Sequence, residues 1–74
     1  MTPEQADSRI IKSRLTLNAY LHGGTASPEN LPLIMQEIVM LTSIAEAHPV
    51  KAEKLMRLVQ DWRQYLGRIE KKLH

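Results

Sequence analysis

The side chains of this chain that could do chemistry are few, and they do not assemble into a known motif. The histidines lack the i, i+4 spacing of a helical metal pair, and neither a cysteine nor a nearby aspartate completes a site. They are His22, His48 and His74. We therefore expect neither a metal nor a cofactor.

Covalent and acid–base catalysis lack support in the same way. None of the serines lies in a nucleophile elbow, and Gly23 and Gly24 precede a helix without the lysine that a phosphate-binding loop requires. Acids such as Glu4, Asp7 and Glu29 are typical of first-turn and solvent-face charges. The sequence favours a protein that is not an enzyme.

The basic residues are the one group whose distribution suggests a ligand. The formal net charge is only +2, yet the chain from residue 51 onward has seven bases against three acids. On a helix, five of these bases share a broad face that could contact phosphate: Lys54, Arg57, Arg68, Lys71 and Lys72. Asp61 interrupts that face, and complementary helices within one fold or dimer would explain the same distribution. Binding of nucleic acid is therefore the alternative hypothesis.

The elements that would position these residues are helices, and the third predicted helix has the clearest pattern. Its large apolar residues recur at steps of 4, 3, 4, 3 and 4, the spacing of a coiled-coil stripe. They are Leu55, Val59, Trp62, Leu66, Ile69 and Leu73. A stripe of this kind predicts contact with another helix.

Capping residues and prolines indicate where the first two helices begin. Thr2, Pro3 and Gln5 supply an N-cap, a proline in the first turn and a capping-box partner. They predict helix 1 over about residues 3 to 22, ended by the two glycines. The Ser-Pro pair at residues 27 and 28 repeats the cap signal. Helix 2 is thus predicted from about residue 28, or alternatively 31, to 47.

Pro49 determines how helices 2 and 3 are joined. It lacks a backbone donor and restricts the residue before it to extended conformations. We favour a tight turn, with helix 3 over about residues 49 to 73, while a kinked continuous helix is the alternative. The predicted fold is a single all-α domain over residues 1–74, a three-helix protein dominated by an antiparallel hairpin of helices 2 and 3.

The apolar surface of these helices looks too large for so short a chain to cover. Helix 2 has a main stripe and a second apolar side. The main stripe is Leu31, Ile34, Met35, Ile38, Leu41 and Ala45, and Leu33, Met40 and Ile44 lie nearly opposite. A small domain without disulfides usually needs a further source of stability. We expect a homodimer formed through the spare face of helix 2 or the end of helix 3.

No leader and no membrane span are expected. The first twenty residues are interrupted by charges and lack an apolar h-region. The longest apolar-rich stretch, residues 31–47, contains Gln36, Glu37 and Glu46 and is too short to cross a bilayer. The lack of cysteine is compatible with a reducing compartment. We therefore expect a cytoplasmic protein that does not bind membranes.

These observations favour a small protein–protein interaction module, acting as a regulator, inhibitor or adaptor through an apolar helical face. Aromatic residues are frequent anchors of interfaces, methionine adapts to irregular surfaces, and arginine can pair at an interface edge. The predicted partner-binding residues are Trp62, Tyr65, Arg63 and Met40. The competing interpretation of Trp62 is that it fills the core of the chain itself.

Overall fold

Three α-helices build the fold, which a computed structural model describes over residues 1–23 and 27–72 (for Lys72, the backbone only). They are α1 (Pro3–Gly23), α2 (Leu31–Ala47) and α3 (Ala52–Lys72). The prediction of an all-α, three-helix protein is confirmed. Gly24, Leu73 and His74, which the sequence analysis named, lie outside the described residues.

The start of α1 is fixed by the predicted capping box. The backbone N–H of Thr2 donates to Oε1 of Gln5 at 2.9 Å, and the backbone N–H of Gln5 donates to Oγ1 of Thr2 at 3.2 Å. Two amides at the helix start are thereby satisfied by side chains rather than by water. The helix continues through Gly23, one residue beyond the predicted end.

Both predicted starts of helix 2 have a structural counterpart. Oγ of Ser27 accepts a hydrogen bond from the backbone N–H of Glu29 at 3.4 Å and caps a 3₁₀ turn, Pro28–Asn30. The α-helix then begins at Leu31, with Pro32 in its first turn. A proline is tolerated there because the first amides of a helix have no partner within it.

Pro49 makes a tight turn rather than a kink. The backbone N–H of His48 closes α2 on the carbonyl of Ile44 at 2.8 Å, and the N–H of Lys51 donates to the carbonyl of His48 at 2.9 Å. A second 3₁₀ turn, Pro49–Lys51, leads directly into α3. Helices α2 and α3 therefore pack closely, and the predicted hairpin is confirmed.

The core lies between the three helices, and α3 contributes most of it. α1 supplies Ala6, Ile10 and Leu17, and α2 supplies Ile34, Leu41, Ile44 and Ala45. The α3 residues are Leu55, Leu58, Val59, Trp62, Tyr65 and Ile69. Since α3 contacts both other helices, it positions every surface described below.

The buried surfaces differ from the predicted stripes at several residues. On α3, Leu58 and Tyr65 are buried beside the stripe, while Leu66 within the stripe is only partly buried. On α2, Ile44 is buried, whereas Met35 of the main stripe is 57% exposed. Each of these helices has two neighbours, so its buried arc is wider than a single stripe and is centred elsewhere.

Candidate protein-binding surfaces

An aromatic cluster fastens α1 to α3. Nε1 of Trp62 donates to Oγ of Ser13 at 2.9 Å, and both side chains are buried. The ring of Tyr20 meets Trp62 edge-on with centroids 5.9 Å apart and stacks on Tyr65 at 5.8 Å. Burial raises the pKa of Tyr65, and Tyr20 adds to that rise, while the charge of Arg68 opposes it. The cluster therefore joins the two helices through a hydrogen bond and oriented ring contacts as well as through apolar burial.

The burial of this cluster bears on the four predicted partner-binding residues. Trp62 is 1% exposed and Tyr65 is 4% exposed, so both rings are enclosed within the chain. Met40 is partly buried, and Arg63 is exposed. Met40 and Trp62 line the same cleft, while Arg63 lines a different depression. The structure therefore separates the four residues into two regions.

The larger surface feature is a cleft of about 440 Å³ between α1 and α2. The two helices touch each other little, because both pack mainly against α3, and this leaves a gap on one side. Its principal lining residues are Arg9, Tyr20, Leu33, Glu37, Met40 and Trp62. Leu33 is 58% exposed at this cleft. A cavity of this size lies in the range of pockets that hold ligands or clusters of side chains.

Charged groups line the same cleft. Nη2 of Arg9 lies 3.6 Å from Oε2 of Glu37, which links α1 to α2, and 2.7 Å from Sδ of Met40. Both ionic side chains remain partly exposed. They can exchange water for the polar groups of a bound molecule, while Leu33 and Met40 provide apolar contact.

The second surface, which we call the open face, consists of the large exposed apolar side chains on the two helices of the α2–α3 hairpin that lie outside the cleft. They are Met35 and Val39 on α2 and Met56 on α3. The exposed fractions of Met35, Val39 and Met56 are 57%, 66% and 46%. A shallow depression of about 210 Å³ lies on this face, lined by Met56, Val59, Gln60 and Arg63. The sequence analysis expected a spare face on helix 2, but it did not identify the contribution of α3.

Several charged residues that the sequence analysis placed on exposed helix faces form salt bridges to another part of the fold. Asp61, on the predicted basic face, contacts Arg14 of α1, with Oδ2 and Nη1 2.6 Å apart. Nζ of Lys51 donates to Oδ1 of Asp7 at 2.7 Å, and this hydrogen bond holds the pKa of Asp7 below its usual value. Asp61 therefore belongs to the contact between α1 and α3.

The basic face of α3 is exposed where the structure describes it. Arg57 bonds Glu53 one turn away, with Nη2 and Oε1 3.0 Å apart. Lys54, Arg68 and Lys71 are exposed and form no salt bridge with another described residue. The side chain of Lys72 lies outside the described residues.

Within the ranges 1–23 and 27–72, no group of three or more histidine, aspartate or glutamate side chains is arranged to hold a metal ion. No helix in the same ranges combines the length and apolar character needed to cross a bilayer.

Comparison of the chain with known protein families, curated proteins and solved structures finds no match. Its function is therefore inferred from the surfaces described above.

Proposed function

We propose that this protein is a small, non-enzymatic interaction module, a homodimer that acts as a regulator, inhibitor or adaptor by binding another protein. The observation that carries this proposal is the cleft between α1 and α2, where the apolar side chains of Leu33 and Met40 lie beside charged groups. Leu33 is 58% exposed and Met40 is only partly buried, so the two side chains offer apolar surface to a partner within this cleft. The cysteine-free sequence suits the reducing cytoplasm, where we propose that the protein acts.

The spacing of the cleft residues favours a helix of the partner as the bound element. Leu33 and Met40 are seven residues apart on α2, which places them two turns apart on one face, separated by about 10.5 Å. An apolar helix laid along the cleft meets both side chains at a matching heptad spacing. Methionine can adjust its conformation to such a partner.

The four predicted anchors take different parts in this proposal. Met40 contacts the partner directly, and Trp62 forms the base of the cleft. Tyr65 supports that base through its contact with Tyr20. Arg63 lines the depression on the open face, away from the cleft, and we assign it no contact with this partner.

Affinity capture with matched variants tests the proposal. Leu33→Asp places a charge at the cleft, in the first turn of α2, where an acid is compatible with the helix. Val50→Asp is the control, because Val50 is 99% exposed in the turn between α2 and α3. We expect wild type and V50D to capture the same protein from the native lysate, and L33D to lose it while keeping its helical circular dichroism spectrum.

The opposite results would contradict the proposal. If L33D captures the same proteins as wild type, the cleft is not the binding site. If wild type captures nothing above an unrelated control protein, the protein is not a binding module of this kind.

Nucleic-acid binding remains a second candidate because of one observation on α3. The exposed Lys54, Arg68 and Lys71 form no salt bridge with a described residue, and Arg14 offsets the charge of Asp61. Binding through phosphate contacts weakens steeply with salt, with a slope of about −0.9 in log K per contact on duplex DNA. A measurable affinity at low salt that falls in this way would support the candidate. No retardation of DNA or RNA at low salt would exclude it.

A further inference from the structure

The exposed side of α1 carries a line of residues at coiled-coil spacing, which we call the outer stripe. Its members follow one another at steps of 4, 3, 4, 3 and 4. In chain order they are Glu4, Ser8, Ile11, Leu15, Asn18 and His22, and all six are exposed. The buried residues of the same helix lie on the opposite side: Ala6, Ile10, Ser13 and Leu17. The outer stripe is therefore free to contact a helix from outside the chain.

The outer stripe is chemically symmetric about its centre. Ile11 and Leu15 form an apolar middle and are 62% and 63% exposed. A short uncharged polar residue flanks them on each side. Glu4, in the first turn, and His22, in the last turn, close the stripe with an acid and an imidazole. Neither forms a salt bridge with a described residue.

We propose that a second copy of this chain covers the outer stripe, with α1 of the two copies packed antiparallel about a two-fold axis perpendicular to both helices. The axis passes at the level of Ser13. Each contact then forms twice. The facing pairs are Ile11 with Leu15, Ser8 with Asn18 and Glu4 with His22, the second member of each belonging to the other copy. Because the α2–α3 hairpin lies on the buried side of each α1, it stays clear of this contact.

The direction of the two helices follows from charge complementarity. In a parallel pair each stripe residue faces the same residue of the other copy, so two Glu4 carboxylates would repel each other. The antiparallel pair instead brings the first turn of one helix beside the last turn of the other. There the imidazole of His22 can donate a hydrogen bond to the carboxylate of Glu4. The opposed helix dipoles favour the same direction.

Lys12 lies at the edge of this contact and opposes it. The two-fold axis places Lys12 of both copies on the same side of the helix pair, about 3 Å apart along the helix direction. Lys12 is exposed and forms no salt bridge with a described residue, so the two positive charges repel each other. On the other side, each Arg14 is paired with Asp61 of its own chain.

This inference rests on the homodimer in the proposed function and places its contact on α1, whereas the sequence predicted the contact on helix 2 or at the end of helix 3. The outer stripe shares no residue with the cleft. We therefore expect L33D to lose the captured partner and remain a dimer, and Ile11→Glu to become monomeric and still capture the partner. If I11E remains a dimer, the inference fails while the proposed function stands.

Complementary charges test the facing of Ile11 and Leu15. Ile11→Glu and Leu15→Lys should each raise the dimer dissociation constant at least about tenfold, because each places two charges against apolar side chains. A mixture of the two proteins forms one Glu–Lys pair and keeps one Ile11–Leu15 contact. We therefore expect the mixed dimer to bind about tenfold more tightly than either variant binds itself. Sedimentation velocity with a fluorescent label on one variant measures this difference.

Val39→Lys provides the matched control on the open face, where Val39 is 66% exposed. V39K adds the same charge as L15K, but it should keep the wild-type dissociation constant and should not pair preferentially with I11E. A wild type that is monomeric at millimolar concentration overturns the inference. A dimer that V39K disrupts and I11E does not would also overturn it, because the contact would then lie on the open face.

Lys12→Gln tests the position of the two-fold axis. Removal of the repelling charges should lower the dimer dissociation constant about threefold to tenfold at low salt, and this gain should shrink at high salt. Lys54→Gln removes the same charge from an exposed position on α3 and should leave the constant unchanged. Equal effects of K12Q and K54Q would overturn the antiparallel arrangement, even if α1 proves to be the dimer contact.

Discussion

The buried pairing of Ser13 with Trp62 links residues 49 positions apart in the chain. Among the described residues, Ser13 is the polar side chain enclosed in the core. Its role was not predictable from the sequence, because a serine on a helix shows no signal until the partner of its hydroxyl is known. The sequence predicted that Trp62 lies in an apolar stripe. Its hydrogen bond could not be predicted, because it depends on how α1 crosses α3.

Ser13→Ala tests how much this hydrogen bond contributes. The variant leaves the indole N–H of Trp62 buried without an acceptor, which typically costs about 1–3 kcal/mol. We expect the free energy of unfolding to fall by that amount in urea titrations followed by Trp62 fluorescence. Ser8→Ala is the control, since Ser8 is exposed on the same helix. Its substitution changes helix propensity by the same amount as Ser13→Ala. Equal stability of S13A and S8A would contradict the prediction.

The ion pair between Asp7 and Lys51 gives stability a pH dependence of known sign. Because the hydrogen bond from Lys51 lowers the pKa of Asp7 in the folded state, the pair stabilises the protein above the unfolded-state pKa of about 3.9. That contribution disappears as the pH falls through the lower folded-state pKa. Asp7→Asn should therefore flatten the decline of stability below about pH 4.

Urea midpoints measured between neutral pH and about pH 2 check this prediction. Glu70→Gln is the control, because Glu70 forms no salt bridge with a described residue. If D7N and E70Q decline with acid as steeply as wild type, the pairing of Asp7 with Lys51 does not contribute to stability in solution.

At the scale of the element, the sequence predicted where the helices start, but it did not predict which side of each helix is buried. The capping box at Thr2 and Gln5 and the turn at Pro49 depend on residues close in sequence, so local chemistry determines them. The burial of Tyr65 depends in part on α1, whose Tyr20 stacks on its ring. An apolar stripe indicates that a helix has a partner, but it does not indicate a second one.

Gly67 offers a test within α3. A glycine inside a helix is expected to cost about 1 kcal/mol relative to alanine, and the sequence left open whether another backbone approaches it closely. A Cβ placed on Gly67 meets no other described residue within 4 Å. We therefore expect Gly67→Ala to raise the free energy of unfolding by about 0.5–1 kcal/mol.

Denaturant unfolding at low protein concentration measures this effect on the single chain. Gln64→Ala, at an exposed position one turn earlier in the same helix, is the comparison and should change stability by less. If G67A instead lowers the free energy of unfolding, the open space beside Gly67 is not present in solution.

At the scale of the whole molecule, the sequence indicated an excess of apolar surface but not its position. Met40 was identified from the sequence, yet the cleft that contains it exists because α1 and α2 diverge from each other over α3. The open face likewise needs the placement of α1, which leaves Met35, Val39 and Met56 uncovered. Helix order and composition do not determine such angles between helices, which depend on side-chain packing across the contacts.

The same placement predicts that the hairpin is incomplete without α1. A chain that starts at residue 27 lacks both Ser13, which accepts the hydrogen bond of Trp62, and Tyr20, whose ring meets the indole edge-on. We expect its tryptophan emission to shift to the red and its thermal transition to become broad, since the remaining core is small for independent stability. Adding a peptide of residues 1–23 should restore the blue-shifted emission, whereas a peptide of the same composition in scrambled order should not. Emission from a monomeric fragment that matches the intact protein would show that α2 and α3 bury Trp62 without α1.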